Sequence, residues 1–237
     1  MLIADAHYSP QRSELLTLLE AIASGEWTPP QLILMGDVAD MLIGPLAYTR
    51  QINAPFIAAI DRIAGQGVEV IYLEGNHDFH LKGVFDPAVK VFARQQQPLM
   101  LRAGDWQVAL LHGDYLAGWA YELYCRVVRS RVGLWLIHLL TLNFINNRFL
   151  RQMEQKLQRK ELCLALEGFG ERRVDEIQRV CPKADIILEG HFHQGVQVKS
   201  SQLHYENLPA FACGQSFLVV QSKQNGVLFQ QRDWGHS

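Results

Sequence analysis

The residues from Val68 to Phe79, VEVIYLEGNHDF, decide the fold because they join a buried strand to a polar cluster. The segment 68–73 is a short apolar run with β-branched residues, which is typical of a buried strand. Gly75 ends the run, and Asn-His-Asp follows directly at 76–78. In open α/β sheets, ligands bind at the carboxyl ends of the strands. The segment therefore predicts a strand that delivers polar side chains to a ligand site.

The same succession of an apolar run and a polar cluster occurs five times along the chain. The five clusters are Asp5-Ala6-His7, Gly36-Asp37, Gly75-Asn76-His77-Asp78, His112-Gly113-Asp114 and Gly190-His191-Phe192-His193. Helical patterns lie between the first runs, at 10–23 (with Ser9 as its N-cap) and 54–64, and this alternation is typical of an α/β domain. Any one cluster alone is most simply a turn or a loop. All five together, each after an apolar strand, predict a common site.

The polar clusters supply oxygen and imidazole donors but no thiolate. The candidate metal ligands are Asp5, His7, Asp37, Asn76, His112, His191 and His193. Such donors suit Mn²⁺, Fe²⁺ or Zn²⁺ in a catalytic site rather than a structural zinc site. Seven ligands are too many for one ion that keeps an open position, so we expect two ions about 3.5–4 Å apart that share one carboxylate.

The length and the composition indicate a globular chain with an insertion. Its 237 residues suit one large domain or one domain with an insertion, and its 49% hydrophobic and 19% charged content excludes a disordered chain. Consecutive helices are predicted after the fourth cluster, at about 119–130, 133–147, 148–161 and 170–180. We therefore divide the chain into a core, residues 1–115 and 182–237, and a helical lid insertion, residues 116–181, within the same domain.

The net charge of −2 hides an asymmetry between this insertion and the core. Eight basic and three acidic residues give residues 116–163 a charge of +5, so the rest of the chain carries −7. Residues 134–145 are apolar nearly all round, which is more than one core-facing stripe requires. Such a surface suits acyl chains together with phosphates or anionic lipid headgroups. The alternative is that these helices pack on the core and expose a solvated charged face.

Several features favour a cytoplasmic protein. The longest uncharged stretch of the insertion, residues 132–147, is shorter than the roughly 20 residues that span a bilayer. The N-terminal residues lack the basic region of a signal peptide. The cysteines form no CxxC pair, and we expect all four to be reduced: Cys125, Cys163, Cys181 and Cys213.

The order DxH, GD, GNHD, HGD and GHxH within residues 5–193 resembles the calcineurin-like metallophosphoesterase family. The resemblance implies an α/β sandwich of two mixed β-sheets flanked by helices. It also implies how the ligands divide: Asp5, His7 and His193 for one ion, Asn76, His112 and His191 for the other, and Asp37 as the bridge.

One branch of that family is more similar. The run Gly75–Phe79, with Gly83 and Phe85 after it, resembles the GNRDF–G–F run of the UDP-2,3-diacylglucosamine pyrophosphatases of lipid A biosynthesis. Those enzymes carry a basic, apolar helical lid after their HGD motif, where residues 116–168 lie in this chain. One position departs from the branch, because His77 stands where its best-known members have Arg.

The resemblance implies a hydrolase that cleaves the pyrophosphate of UDP-2,3-diacylglucosamine to 2,3-diacylglucosamine 1-phosphate and UMP. We expect two divalent ions, Mn²⁺ with Fe²⁺ and Zn²⁺ as alternatives, and an enzyme held peripherally on the anionic surface of the inner membrane. His77 would offset charge on the phosphate oxygens, and Asp78 would either orient His77 or cap a loop. The expected substrate-binding residues are Phe79, His80, Arg126, Arg129, Trp135 and Leu139.

Two alternatives stay open at this point. The first is another metal-dependent phosphodiesterase, nucleotide pyrophosphatase or phosphatase of the same family, which would not need an apolar lid. The second is a non-catalytic scaffold of this fold, which should have lost metal ligands, whereas all seven candidates are present. A nucleic-acid partner is not expected, because the body outside the insertion is acidic.

Overall fold

The structure is a computed structural model that describes residues 1–115, 118–141, 148–200, 203–223 and 226–235. The helices of these residues are α1 (Glu14–Ala23), α2 (Ala47–Ile52), α3 (Ala54–Gly65), α4 (Trp119–Val128), α5 (Arg131–Thr141), α6 (Arg148–Gln158), α7 (Phe169–Val180) and α8 (Phe211–Gly214). The strands are β1 (Leu2–Ile3), β2 (Gln31–Leu34), β3 (Leu42–Ile43), β4 (Glu69–Leu73), β5 (Asp78–Phe79), β6 (Lys90–Phe92), β7 (Leu99–Ala103), β8 (Trp106–Leu111), β9 (Ile186–Glu189), β10 (Val196–Lys199), β11 (His204–Asn207), β12 (Ser216–Lys223) and β13 (Gly226–Asp233).

Two mixed sheets form the centre of the fold. The first has the order β13-β12-β1-β2-β4-β6. In it β1, β2, β4 and β6 are parallel, β12 is antiparallel to β1, and β13 is antiparallel to β12. The second has the order β10-β11-β9-β8-β7, with β8, β9 and β11 parallel. A two-stranded pair, β3 with β5, stands apart. The predicted α/β sandwich of two mixed sheets flanked by helices is confirmed.

Side-chain alternation along the strands builds separate cores on the two faces of each sheet. In β1 and β2, Leu2 and Ile33 point into the space between the sheets, whereas Ile3 and Leu34 pack with residues of α1 and α3. The second sheet is covered on its outer face by α7, through residues such as Ile177. The central strands are therefore buried on both faces, and their polar residues lie at their carboxyl ends.

The first helix begins later than its pattern predicts. We expected a helix from residue 10 with Ser9 as its N-cap, but α1 begins at Glu14 and Ser13 precedes it. Backbone hydrogen bonds between Ser9 and Arg12, in both directions, close a turn in this segment instead. The prediction of a helix at 54–64 is confirmed by α3.

The predicted insertion contains four helices, but they pack in two different places. The first three, α4, α5 and α6, are called the lid helices here. Their inner residues, such as Leu134 and Leu150, form a cluster of their own with Ile43 and Phe79 of the short β3–β5 pair. The fourth, α7, packs on the second sheet. Residues 116, 117 and 142–147 of the predicted insertion lie outside the described residues. No helix in the described ranges is long and apolar enough to span a membrane.

The prediction that all four cysteines are reduced is wrong for two of them. Cys163 and Cys213 form a disulfide, with their Cα atoms 5.7 Å apart, whereas Cys125 and Cys181 are free and buried. The two bonded cysteines are 50 residues apart, and only the packing of the segment after α6 beside α8 brings them together. No local spacing signals such a contact.

A buried ion pair ties α7 to the end of β9. Arg173 Nη2 donates a hydrogen bond to Glu189 Oε1 at 2.7 Å, and the hydroxyl of Tyr205 donates to Glu189 Oε2 at 2.7 Å. Arg173 Nη2 also donates to the carbonyl of Gly113 at 3.1 Å. Because Gly113 and Glu189 stand at the fourth and fifth polar clusters, this pair fixes the ends of two neighbouring strands.

We expect Arg173→Ala to lower the free energy of unfolding by about 3–5 kcal/mol, because it leaves the carboxylate of Glu189 buried without its cation. Urea denaturation followed by circular dichroism measures this. The matched control is Arg172→Ala at the exposed neighbouring position, which should change the stability by no more than about 0.5 kcal/mol. Similar small effects for the two variants would contradict the role of the pair.

Candidate metal centre

Five of the seven predicted ligands have a left-handed backbone conformation. Their φ angles lie between 45° and 68°, a region that residues other than glycine rarely adopt: Asp5, His7, Asp37, His191 and His193. Conformations of this kind cost free energy and cluster at functional sites. Here they bend the chain sharply just past β1, β2 and β9, so that these short loops turn their predicted ligands toward the same space.

Two glycines of the clusters allow these loops to approach one another. A Cβ atom at Gly75 would lie 2.2 Å from Asp37 Oδ1, and one at Gly36 would lie 2.6 Å from His112 Nδ1. Any side chain at either position would therefore displace a predicted ligand. The glycines that ended the apolar runs in the sequence are required by the site as well as by the turn.

The ligands predicted for the first ion come together in one group. Asp5, His7 and His193 each offer an atom within 4.8 Å of the others. Asp5 Oδ1 lies 3.3 Å from His193 Nε2. His7 uses Nδ1 for Asp40, and its Nε2 is buried and has no hydrogen-bond partner within the described part of the chain. An unpartnered imidazole nitrogen beside a carboxylate suits a divalent cation.

The ligands predicted for the second ion form a neighbouring group with the predicted bridge. Asp37, His112 and His191 meet the same criterion of mutual approach. His112 Nε2 lies 3.5 Å from Asp37 Oδ2 and 3.2 Å from Asn76 Oδ1. The two groups adjoin, since His112 Nδ1 is 4.0 Å from Asp5 Oδ1. The structure thus brings all seven predicted ligands into one buried centre whose donors fit two divalent ions.

Three of the histidines are oriented through Nδ1. That nitrogen lies 3.3 Å from Asp40 Oδ1 in His7, 3.1 Å from a backbone carbonyl in His112 and 2.7 Å from a backbone carbonyl in His193. Partners of this kind fix the ring and leave Nε2 for a metal. Asp40 was not among the predicted site residues, although a second carboxylate three residues after Asp37 is a signal that identifies it.

The electrostatics of the centre favour positive charge. Burial lowers the pKa of His112, but Asp37 and Asp5 outweigh burial and raise it to about 10. Burial and the neighbouring His112 lower the pKa of His191 to about 3. Burial alone would raise the pKa of Asp37, yet His112 and His77 hold it well below its usual range. The same carboxylates that keep a proton on the buried His112 would bind a divalent cation in place of that proton.

Of the two predicted catalytic residues, His77 lies at the centre. Its Nδ1 is 2.8 Å from the carbonyl of Asp40, so the N–H on Nδ1 donates to that carbonyl. Its Nε2 is 4.0 Å from Asp37 Oδ2, on the metal side of the ring. The backbone N–H of His77 donates to Asp37 Oδ1 at 2.7 Å. A backbone carbonyl therefore orients His77.

Asp78 does not orient His77, and that half of the prediction is wrong. Its two carboxylate oxygens accept five hydrogen bonds from other groups: the backbone N–H of Asp37, Val38, Ala39 and Gly75, and the hydroxyl of Tyr72. Burial and Asp37 raise the pKa of Asp78 to about 7. Asp78 caps the loops of the second and third clusters, which is the alternative that the sequence left open.

Three of the predicted substrate-binding residues meet where α4 ends against the third cluster. Arg129 donates to the carbonyl of Gly75 and, at 3.4 Å, to Glu74 Oε2, and its guanidinium lies 4.9 Å from the centre of the Phe79 ring. His80 Nε2 is 2.8 Å from the carbonyl of Arg129. These contacts hold the end of α4 on the core, and a role of Arg129 in substrate binding stays a prediction. Phe79 is buried beneath Arg129.

The other predicted substrate-binding residues, Arg126, Trp135 and Leu139, are exposed on the lid helices. Tyr121 was not among the predicted site residues, but α4 places it beside the centre, with its ring 6.5 Å from that of His191. The Tyr121 hydroxyl is buried and has no hydrogen-bond partner among the residues described. Burial and Asp114 raise its pKa, so the hydroxyl keeps its proton.

We expect Asp37→Asn to weaken the binding of both ions, because the bridging position loses its negative charge while the side chain keeps its size. Calorimetric titration with Mn²⁺ should show two tight binding events in the unaltered protein and none of comparable affinity in the variant, at an unchanged melting temperature. Asp105→Asn, in the exposed turn between β7 and β8, is the matched control. Two undiminished binding events in Asp37→Asn would rule out the bridge.

Several solved structures align with nearly the whole chain at low sequence identity. A dimetal phosphatase from Danio rerio is 14% identical, with 98% of this chain and 95% of that chain covered and a TM-score of 0.47. An archaeal phosphodiesterase is 10% identical, with 98% of each chain covered and a TM-score of 0.46. Vps29 of Entamoeba histolytica complexed with zinc is 14% identical, with 98% and 97% covered and a TM-score of 0.40. Similarity at this level carries no argument about activity.

A comparison with the curated proteins gives no match. The model of the family described as calcineurin-like phosphoesterase matches residues 1–195, which include all five polar clusters. With a two-metal ligand set assembled at the strand ends, the chain belongs to the calcineurin-like phosphoesterases and is a metal-dependent phosphoesterase.

Proposed function

We propose that the protein hydrolyses the pyrophosphate of UDP-2,3-diacylglucosamine and releases 2,3-diacylglucosamine 1-phosphate and UMP. The observation that carries the proposal is an exposed apolar surface on helices that lie against the metal centre. A phosphoesterase acting on a soluble nucleotide has no use for such a surface, whereas a substrate with two acyl chains needs one next to the bond that is cleaved.

The apolar surface consists of large side chains at helical spacing. Four lie on α4 and four on α5, and all are mostly or half exposed: Trp119, Leu123, Tyr124, Val127, Val132, Trp135, Leu136 and Leu139. Trp119 is 81% exposed and Trp135 is 60% exposed. Contiguous exposed apolar surface on a folded protein indicates a binding site for an apolar partner.

Exposure of this surface does not reflect helices that fail to pack. On the opposite side of α5, Leu134 and Ile137 pack into the cluster with Phe79, and α6 contributes Met153 to the same cluster. The hydroxyl of Tyr48 donates to Glu154 Oε2 at 2.6 Å and ties α6 to α2. A helix with apolar residues on its buried and its exposed side suits a second apolar partner, and acyl chains are that partner in this proposal.

The apolar surface also stands in the right place relative to the phosphate chemistry. Arg129 holds the end of α4 on the loop that carries Asn76, and Arg94 joins Glu122 of α4 to Asp114 of the fourth cluster. A diacylglucosamine whose chains lie on α4 and α5 therefore has its phosphate close to the metal ligands.

The chain's own residues suit attack on a pyrophosphate. When bound, the two ions supply a hydroxide near neutral pH and offset the charge of the phosphoryl oxygens. His77 presents Nε2 to the same space, where an N–H donor would stabilise an oxygen that gains charge. Tyr121 brings a second donor from the lid side. The leaving group of a pyrophosphate departs as a phosphate and needs no proton from the enzyme.

The proposal includes peripheral association with the anionic inner membrane, where a diacyl substrate resides. The lid helices carry exposed arginines, including Arg126 and Arg148, beside the apolar surface. Basic side chains near anionic lipid each contribute about 1 kcal/mol to the association.

We expect His77→Ala to lower kcat on the nucleotide lipid by about 10²–10³-fold, as for the loss of one preorganised donor. His77→Arg should recover most of this, because Arg restores a positive donor and the leaving group needs no acid. An alkyl phosphodiester has a poor leaving group, so the His77→Arg variant should hydrolyse it about 10²–10⁴-fold more slowly than the unaltered protein does. Equal losses of His77→Arg on both substrates would assign His77 as a general acid and favour a phosphodiesterase.

We expect the double variant Trp135→Ser, Leu139→Gln to raise KM for the diacyl substrate, more so for longer chains, since each buried CH₂ contributes about 0.8 kcal/mol. Hydrolysis of bis-p-nitrophenyl phosphate, which needs only the metal centre, should be unchanged. Trp106→Ser on β8 is the matched control, because Trp106 is 44% exposed but lies outside the lid helices. The acyl-binding proposal fails if the double variant slows both substrates equally.

We expect the double variant Arg126→Ala, Arg148→Ala to bind less to sedimented vesicles that contain anionic lipid. Added salt should weaken the vesicle binding of the unaltered protein in the same way. The control pair is Arg102→Ala with Arg179→Ala, which removes two exposed charges that lie outside the lid helices. Equal loss in both pairs would show attraction by overall charge and not by the lid.

A further inference from the structure

The segment of residues 162–166, which follows α6, lies across the fifth polar cluster. The Nδ1 of His193 is 2.7 Å from the carbonyl of Leu162. The backbone N–H of Leu166 donates to Gln194 Oε1 at 2.7 Å, and Gln194 Nε2 donates to the carbonyl of Leu164 at 2.9 Å. This segment therefore determines how the ring of His193 is turned toward Asp5.

The disulfide joins this segment to the other end of the same ligand group. Cys163, next to Leu162, is bonded to Cys213 on α8. The first residues of α8 are fixed to the strand end that carries Asp5, since the N–H of Phe211 donates to Ala4 and that of Ala212 to the carbonyl of Asp5. A covalent link thus runs from beside Asp5, through α8 and the disulfide, to the carbonyl that orients His193.

Burial contributes little to holding the segment in place. All its residues except Leu162 are exposed, and the apolar side chain of Leu164 is 57% exposed. Both disulfide-bonded cysteines are exposed as well, so a thiol reagent can reach them. His112 of the second ligand group does not depend on this segment, because its Nδ1 lies 3.1 Å from the carbonyl of Met35, which directly follows β2.

We propose that the Cys163–Cys213 disulfide is a redox-controlled positioning device for His193. In the disulfide state it holds the carbonyl of Leu162 against His193 Nδ1. A dithiol reductant reduces it by two electrons and two protons, giving two cysteine thiols and the oxidised reductant, and releases the 162–166 segment. The ion held by Asp5, His7 and His193 is then bound more weakly, whereas the ion of the other group is retained. This inference rests on the proposed two-metal centre but not on the lipid substrate.

The test is Mn²⁺ titration of the full chain in the disulfide form and after reduction with a phosphine that is then removed. Loss of an outer-shell partner of a metal ligand typically costs 10–100-fold in affinity. We expect one of the two binding events to weaken by that factor on reduction and the other to stay unchanged. We also expect a change in the electron paramagnetic resonance spectrum, recorded with Mn²⁺ at one equivalent above the protein concentration. On reduction, the spectrum should change from that of a coupled manganese pair to that of an isolated ion.

Two variants separate positioning from stability. The double variant Cys163→Ser, Cys213→Ser should bind Mn²⁺ like the reduced protein and not respond to reductant. The double variant Cys125→Ala, Cys181→Ala keeps only the disulfide-bonded pair and should respond like the unaltered protein.

Identical Mn²⁺ affinities of the disulfide and reduced forms would overturn the inference. Equally weakened binding of both ions, together with a lower melting temperature, would also overturn it. So would a failure of the thiols of Cys163 and Cys213 to form the disulfide again on oxidation with diamide. Because the readout is metal binding, each result holds whether or not the enzyme cleaves the diacyl substrate.

Discussion

The structure depends on one buried carboxylate that is not among the predicted metal ligands. Asp78 accepts four backbone N–H groups and one phenol hydroxyl, and these donors come from the ends of β2 and β4 and from the loops after them. The hydrogen bonds clamp the loop of Asp37 against the loop of Asn76 and His77. A left-handed turn at Asp37 costs free energy, and the clamp offsets that cost. Asp37, the predicted bridging ligand, and His77, the predicted charge-stabilising residue, are therefore placed by the same buried carboxylate.

The elements that could be predicted from the sequence are those that hydrophobic burial determines. Strands covered on both faces appear as continuous apolar runs, and the glycine that ends a run marks where polar residues begin, so the ligands could be found without a structure. Roles that depend on partners far along the chain could not be found this way. Asp78 differs from a catalytic carboxylate only in the N–H groups that surround it, and Arg129 differs from a surface arginine only in the Glu74 carboxylate beneath it. The Cys163–Cys213 contact likewise exists only once α8 and the end of α6 are packed together.

Ion pairs, rather than apolar burial alone, fix the lid on the metal centre. Arg94 binds Glu122 and Asp114 together, and Arg129 reaches Glu74 and the carbonyl of Gly75. Both contacts involve α4, whereas α5 is held by its inner apolar residues and turns Trp135 and Leu139 outward. This division has a physical consequence. Charged contacts hold α4 in register with the third and fourth clusters, and inner apolar residues hold α5, so the outer apolar residues of both helices remain exposed.

Asp40 explains how a histidine can stand at position 77. Its carboxylate lies 3.3 Å from His7 Nδ1, and its carbonyl accepts from His77 Nδ1 at 2.8 Å, so one residue orients both the predicted metal ligand His7 and the ring of His77. The rings of His7 and His77 meet edge to face, with their centres 4.9 Å apart. An arginine at this position would reach the same space along a flexible stem and would not need the carbonyl. The ring of His77 does need the carbonyl of Asp40 to hold its orientation. That orientation is therefore coupled to the first ligand group through Asp40 rather than through the neighbouring Asp78.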